Sequence, residues 1–188
     1  MFLVIGLGNP GKEFEKNRHN VGFRVVQALA ESLKVELATT ESKAITGRAK
    51  IDDSAAILAQ PLTFVNASGE CVRDLVSKYD LCPADIVAIH DDLDLVLGDV
   101  RVKTEGSSGG HKGVDSIIYH LGSEDFGRVR IGIGRPPGRQ DPADFVLRDF
   151  TAKEEEEIAV AVQEGADAVL DIINRGFQAT MNRYNKRQ

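Results

Sequence analysis

The chain has 188 residues, 42% of them hydrophobic, and its 23 basic and 29 acidic side chains leave a net charge of −6. That length suits one domain with a substantial core, and the acidic balance argues against a surface coated in nucleic-acid-binding charge. No apolar stretch approaches the roughly 18 residues of a transmembrane helix. The opening residues, Met1 to Gly6, carry no positive region and break at glycine too early for a secretory signal. Cys71 and Cys82 lack metal-ligand spacing. The expectation is a cytoplasmic protein in which both cysteines are unpaired packing residues.

In chain order, Phe2-Leu3-Val4-Ile5 reads as a buried strand that ends at the turn Gly6-Leu7-Gly8-Asn9-Pro10-Gly11. Val21, Val25, Val26, Leu29, Ala30 and Leu33 recur at helical spacing, with Asn20 as the predicted N-cap. Residues 35–60 divide into three short strands punctuated by Gly47 and by Asp52-Asp53-Ser54, and the last of them runs into Gln60-Pro61-Leu62-Thr63-Phe64-Val65-Asn66. Val72, Leu75, Val76 and Tyr79 mark a helix opening near Asn66 to Ser68. Asp85 to Ile89 forms a strand leading into His90-Asp91-Asp92-Leu93-Asp94.

Farther on, Val100 and Val102 alternate with Arg101 and Lys103, and Val129, Ile131 and Ile133 alternate with Arg130, Gly132 and Gly134; both are half-buried strand patterns. Between them, Val114, Ile117, Ile118 and Leu121 make a helical stripe after a glycine-rich loop. Thr151-Ala152-Lys153-Glu154 is a capping box that opens the longest helix, which stops at Gly176 before a short tail helix reaching about Arg183. The predicted fold class is α/β: a single domain over residues 1–188, with a mixed twisted β-sheet whose parallel central strands are flanked by helices.

Ligands of open parallel sheets bind at the carboxyl ends of the strands. If the three apolar strands are parallel, Asn9, His19, Asn66 and Asp91 converge on one rim. His19 is the side chain suited to take a proton near neutral pH, and a neighbouring carboxylate, Asp91, selects its tautomer and stabilises the imidazolium. Asn9 and Asn66 hydrogen-bond without titrating. Gly6-x-Gly8-x-x-Gly11 matches a dinucleotide fingerprint, yet no helical stripe starts before Val21 to receive a pyrophosphate. His90-Asp91-Asp92-x-Asp94 invites a metal, but neighbours on a strand point to opposite faces. Ser107 and Ser108 lack the nucleophile elbow; His111 is ambiguous, with loop packing the safer reading. Residues 101–139 hold seven basic and four acidic side chains. That cationic stretch suits phosphates or ordinary solvated surface equally well.

Five ordered motifs carry a resemblance to the bacterial-type peptidyl-tRNA hydrolase family. They are Gly6-Leu7-Gly8-Asn9-Pro10-Gly11 with Arg18-His19-Asn20-Val21-Gly22, then Pro61 to Gly69, His90 to Asp94, Gly109-Gly110-His111-Lys112-Gly113, and Arg128 to Pro136. The resemblance implies a monomer that hydrolyses the ester between a peptide and the terminal ribose of tRNA, contacting the acceptor stem and 3′ end. It implies no metal, no organic cofactor, no membrane and no obligate protein partner. By motif match His19 is the base and Asp91 its partner; Asn9, Phe14, Asn66 and Lys112 face the substrate, and Arg101, Lys103 and Arg130 face tRNA phosphate. The chain departs from the usual pattern at Lys112 (asparagine), Phe14 (tyrosine), Asn17 (threonine) and Val65 (methionine). An alternative implied by Lys112 is a weakened homologue that binds RNA without turnover.

Overall fold

Four of the apolar runs pair side by side as parallel strands. Together they form the centre of one seven-stranded sheet with the order β2-β3-β4-β1-β5-β7-β6. The computed structural model describes residues 1–186. The parallel core comprises β4 (Ser54–Pro61), β1 (Phe2–Gly6), β5 (Ile86–Asp92) and β7 (Gly127–Gly132). The hairpin β2 (Thr39–Glu41) and β3 (Ala44–Ile51) extends one edge in antiparallel fashion, and β6 (Val100–Lys103) closes the other edge against β7. The parallel arrangement brings the ends of β1, β4 and β5 to one rim, which is the condition the predicted site required.

Helices cover both faces, as parallel strands buried on two sides demand. One face packs Val4, Val87, Ile89, Val129 and Ile131 against α1 (Val21–Ser32) and α5 (Ala152–Arg175). The other packs Leu3, Ile5, Ile86, Ala88 and Phe126 against α2 (Ser68–Tyr79) and α3 (Lys112–Leu121). The capping box forms as the sequence predicts, with Thr151 Oγ1 accepting from the Glu154 amide and Glu154 Oε2 accepting from the Thr151 amide. A short helix α4 (Pro142–Val146), absent from the periodicity, precedes α5, and α6 (Phe177–Tyr184) follows it. No described helix is long and apolar enough to cross a membrane.

Three local expectations need correction. Gly47 does not separate strands; it lies inside β3, where a Cβ would meet the Glu36 carbonyl at 2.7 Å. The break falls instead at Ser42-Lys43, whose positive φ values of 47° and 60° make a tight hairpin turn. Asn20 does not cap α1 with its side chain, which is spent on the backbone of Asn9. Cys71 is buried, and burial pushes its thiol up to about 12. Cys82, by contrast, is exposed and bonds Asp85 at the start of a 3-10 turn, so it is no packing residue.

The start of α1 lies almost on the sheet. A Cβ on Gly22 would come within 2.3 Å of the Ile89 carbonyl and 2.6 Å of the Leu7 backbone, and one on Gly6 within 2.3 Å of the Gly22 carbonyl. This glycine-to-glycine approach holds the turn before α1, Arg18–Asn20, over the end of β5. Gly22→Ala is expected to destabilise the fold by about 1–3 kcal/mol through overpacking, read as a lower denaturant midpoint in equilibrium unfolding.

Candidate active site

Three side chains from three separate segments meet at the carboxyl end of β5. His19 belongs to the 3-10 turn Arg18–Asn20, Asp91 to β5, and His111 is the N-cap residue of α3. His19 Nδ1 stands 2.8 Å from Asp91 Oδ1, and His111 Nε2 stands 2.9 Å from the same oxygen. His19 is 8% exposed and Asp91 3%. An ionised carboxylate only accepts, so each ring presents an N–H to it. His19 Nε2 is left without a hydrogen-bond partner among the described residues, on the ring that borders the site.

The turn carrying His19 is fixed by its neighbour. Arg18 donates to the carbonyls of Arg148 (3.1 Å) and Asp149 (2.5 Å), pairs with Glu154 at 2.7 Å, and lies 4.3 Å over the ring of Phe145. The capping-box glutamate of α5 therefore also anchors the segment holding the imidazole. Asn9 and Asn20 form a second clamp. Asn20 Oδ1 accepts from the Asn9 amide, Asn20 Nδ2 donates to the Asn9 carbonyl, and Asn9 Oδ1 accepts from the Val65 amide at 2.8 Å. Half of the Asn9 carboxamide is thus spent on positioning the 3-10 turn Val65–Ala67. That turn carries Asn66, which is exposed with no hydrogen-bond partner among the described residues.

Phe14 and the 59%-exposed Phe64 meet edge to face, 6.2 Å apart, beside this turn. Phe64 is not among the predicted site residues, although the motif places an aromatic two residues ahead of Asn66. Lys112 opens α3, is exposed, and has no ionic partner among the described residues. It does not pair with Asp91, whose Oδ1 is occupied by the two imidazoles. His111, ambiguous in the sequence with loop packing the safer reading, bonds Asp91 instead. A histidine directly ahead of a helical stripe after glycines was the available signal, but its contact with Asp91 depends on two distant segments.

The three basic candidates share the α3-side face of the β6–β7 pair, where Arg101 lies opposite Arg130 and Lys103 opposite Arg128. They are not equivalent. Arg130 Nε bonds Asp92 Oδ2 at 2.8 Å, next to the site. Lys103 donates to the Ser107 carbonyl at 3.2 Å, and burial, then Arg128 and Arg130, lower its pKa from the ordinary lysine value. Arg101 is drawn the other way, to Asp99 and to the carbonyls of Tyr184 and Lys186. Arg128, fully buried on the Phe126 ring, holds the Ser107 and Glu124 carbonyls and so ties down the glycine loop ahead of His111.

His19, Asp91 and His111 offer ligand atoms that all lie within 4.8 Å of one another. The donor set does not suit a cation, because His111 Nδ1 accepts from the Gly113 and Val114 amides at 3.2 and 3.3 Å. Its proton is then on Nε2, the very atom a metal would need as a lone pair. The dinucleotide reading also lacks its helix: 3-10 turns follow Gly11, and α1 opens only at Val21. A cleft of about 780 Å³ borders Asn9 and Asn20 along α1, but none of the three site residues lines it.

Comparison with known proteins decides the family of the chain. The profile of the peptidyl-tRNA hydrolase family matches residues 3–188. The chain belongs to the peptidyl-tRNA hydrolase family. Among the relatives, the peptidyl-tRNA hydrolase of Geobacillus kaustophilus is 47% identical over 99% of this chain and 100% of its own length. That of Bacillus subtilis is 43% identical over 98% of both. A crystal structure of the Acinetobacter baumannii family member superposes with a TM-score of 0.93 at 33% identity, covering 100% of this chain and 96% of that one. The 5′-methylthioadenosine nucleosidase of Arabidopsis thaliana, at 8% identity and a TM-score of 0.54, shares the fold alone.

The electrostatics of this family member's site follow from burial and pairing. Burial presses the His19 imidazole down, but the charge of Asp91 and its hydrogen bond reverse this, so the pKa lies above the ordinary histidine value. Burial likewise opposes ionisation of Asp91, and the imidazoles of His19 and then His111 overcome it, holding the carboxyl well below the carboxylate range. Because the folded value of His19 is raised, its ion pair with Asp91 stabilises the fold fully below the unfolded value of about 6.5 and is lost as pH rises through the folded value. Asp91→Asn leaves burial unopposed, so the His19 titration midpoint, followed by NMR, is expected to fall below the ordinary histidine value.

Proposed function

We propose that this protein hydrolyses peptidyl-tRNA, with His19 as the general base. The carrying observation is the His19 Nδ1–Asp91 Oδ1 contact at 2.8 Å, which leaves Nε2 as the nitrogen for a water proton. His19 Nε2 removes a proton from water as the oxygen attacks the ester carbonyl of the peptide's last residue. Asp91 stabilises the imidazolium that forms. The tetrahedral oxyanion is met by fixed donors, for which the unpartnered Asn66 carboxamide and the Lys112 ammonium are the available groups. Collapse breaks the bond to the ribose oxygen, which takes from His19 Nε2 the proton that came from water. The peptide leaves with a free carboxylate and the tRNA with a free 3′-terminal hydroxyl. No cofactor enters this sequence of steps.

In the same reading, the Asn9 carboxamide and the Phe14–Phe64 edge face the peptidyl end. The β6–β7 cationic strip takes acceptor-stem phosphates, positioning tRNA without reading its sequence. Arg130 and Lys103 serve this role more directly than Arg101, whose guanidinium is engaged by α6. The setting is the cytoplasm and the working unit a monomer.

His19→Ala is expected to lower turnover of a peptidyl-tRNA about 10²–10⁴-fold in a gel assay; turnover equal to wild type removes His19 from the mechanism. Arg130→Ala is expected to raise KM with little change in kcat. It should also flatten the slope of log KM against log salt by about one unit, the mark of one lost phosphate contact.

A further inference from the structure

His111 does two things with one ring. Its Nδ1 accepts from the Gly113 and Val114 amides, the unsatisfied donors at the start of α3, and its Nε2 faces Asp91 Oδ1. A nitrogen that accepts amide protons carries none itself, so the helix cap dictates where the ring's single proton lies. The surroundings support an uncharged ring. His90 lies 4.7 Å away, centroid to centroid, and its own Nδ1 donates to the Asp91 carbonyl at 2.7 Å. Its buried Nε2 has no partner among the described residues, and burial keeps the ring well below the ordinary histidine value, so a neutral imidazole stands against His111. The His19 ring, 4.9 Å from that of His111, is the third member of the cluster.

We propose that His111 is a positioning residue: a neutral imidazole, locked by helix capping as an Nε2–H donor, that shares Asp91 Oδ1 with His19 and thereby limits the negative charge available to the base. This deepens the reading of His19 as the base and rests on it. Two N–H donors on one oxygen divide its electron density, so each weakens the other's hold. Relieved of His111, Asp91 grips the protonated form of His19 more strongly, and the base is retained in its idle, protonated state to higher pH. The device also couples loop to base. Arg128 and Lys103 hold the Ser107 carbonyl of the glycine loop, that loop delivers His111, and His111 sets the proton affinity of a ring on another segment. Asp91 is the charged group that acts on the His19 ring, and the Arg18 guanidinium on its own turn is committed to Arg148, Asp149 and Glu154.

Two substitutions separate the two roles. Asn places an oxygen near the Nδ1 position and caps helices well, but its amide falls short of Asp91. Gln places an N–H near the Nε2 position but forfeits the cap. In His111→Asn the NMR titration midpoint of His19 is expected to rise by about one pH unit, a tenfold change in proton affinity, with a thermal midpoint close to wild type. In His111→Gln the His19 midpoint is expected to stay near wild type while the thermal midpoint falls. Nitrogen-15 shifts of the wild-type ring are expected to show the Nε2–H tautomer. An Nδ1–H tautomer overturns the proposal, as does a His19 midpoint in His111→Asn equal to that of wild type. If His111→Asn fails to fold, the tautomer and the Gln variant still decide. All these readouts use the protein without tRNA, so a wild type that hydrolyses no peptidyl-tRNA defeats the proposed function and leaves this test intact.

Discussion

A single carboxylate oxygen, Asp91 Oδ1, receives N–H groups from two imidazoles that arrive from opposite sides of the sheet, one ahead of α1 and the other ahead of α3. Burying an ionised carboxyl is costly unless its charge is met by donors. Here the donors are two imidazoles, one of them the proposed base. His19 gains a raised proton affinity and a fixed ring orientation, and Asp91 gains the partners that keep it ionised at 3% exposure. Stability and reactivity therefore draw on one contact in opposite protonation states. The ion pair is strongest when His19 is protonated, whereas the proposed general-base role needs the ring after that pairing charge is gone.

Holding such a contact to a few tenths of an ångström is a problem of backbone placement. The chain solves it with features that touch no substrate. Gly6 and Gly22 let α1 approach β1 and β5 to a distance that any side chain would block. Asn20 grips both backbone polar groups of Asn9, and Asn9 in turn holds the amide of Val65, so the loops after β1 and β4 are tied together. Arg18 ties the His19 turn to the start of α5 through the carboxylate that also closes the capping box. These ties leave Asn66, Phe64 and Lys112 as the exposed rim around an immobilised centre.

Charge is arranged on the same principle. The chain is acidic overall, yet one face of the β6–β7 ribbon is lined by Arg101, Lys103, Arg128 and Arg130. Only part of that array is available to a ligand. Arg128 is buried scaffolding, Arg101 is engaged with the end of α6, and Arg130, beside Asp92, and Lys103, on the Ser107 carbonyl, remain partly exposed. In the proposed reading, a short basic strip on an acidic body favours a phosphate backbone presented in one orientation and repels it elsewhere.

Local chemistry made the elements legible. The alternation around Arg101 and Arg130, the stripe from Val21 to Leu33 and the Thr151–Glu154 box each depend on near neighbours, and the structure reproduces them. Asn9, His19, Asn66 and Asp91 were legible as site candidates because each follows an apolar run, and parallel strands place such positions on one rim. What the sequence alone could not disclose were the partners of those groups. Whether Asn20 caps its own helix or clamps Asn9, whether Arg101 faces solvent or α6, and whether His111 packs in a loop or bonds Asp91 are competitions between local and distant partners for the same hydrogen bonds. Residue order determines which donors and acceptors exist and which way each strand and helix runs; only the closed fold, by setting segments 20 to more than 130 residues apart in contact, decides which donor meets which acceptor.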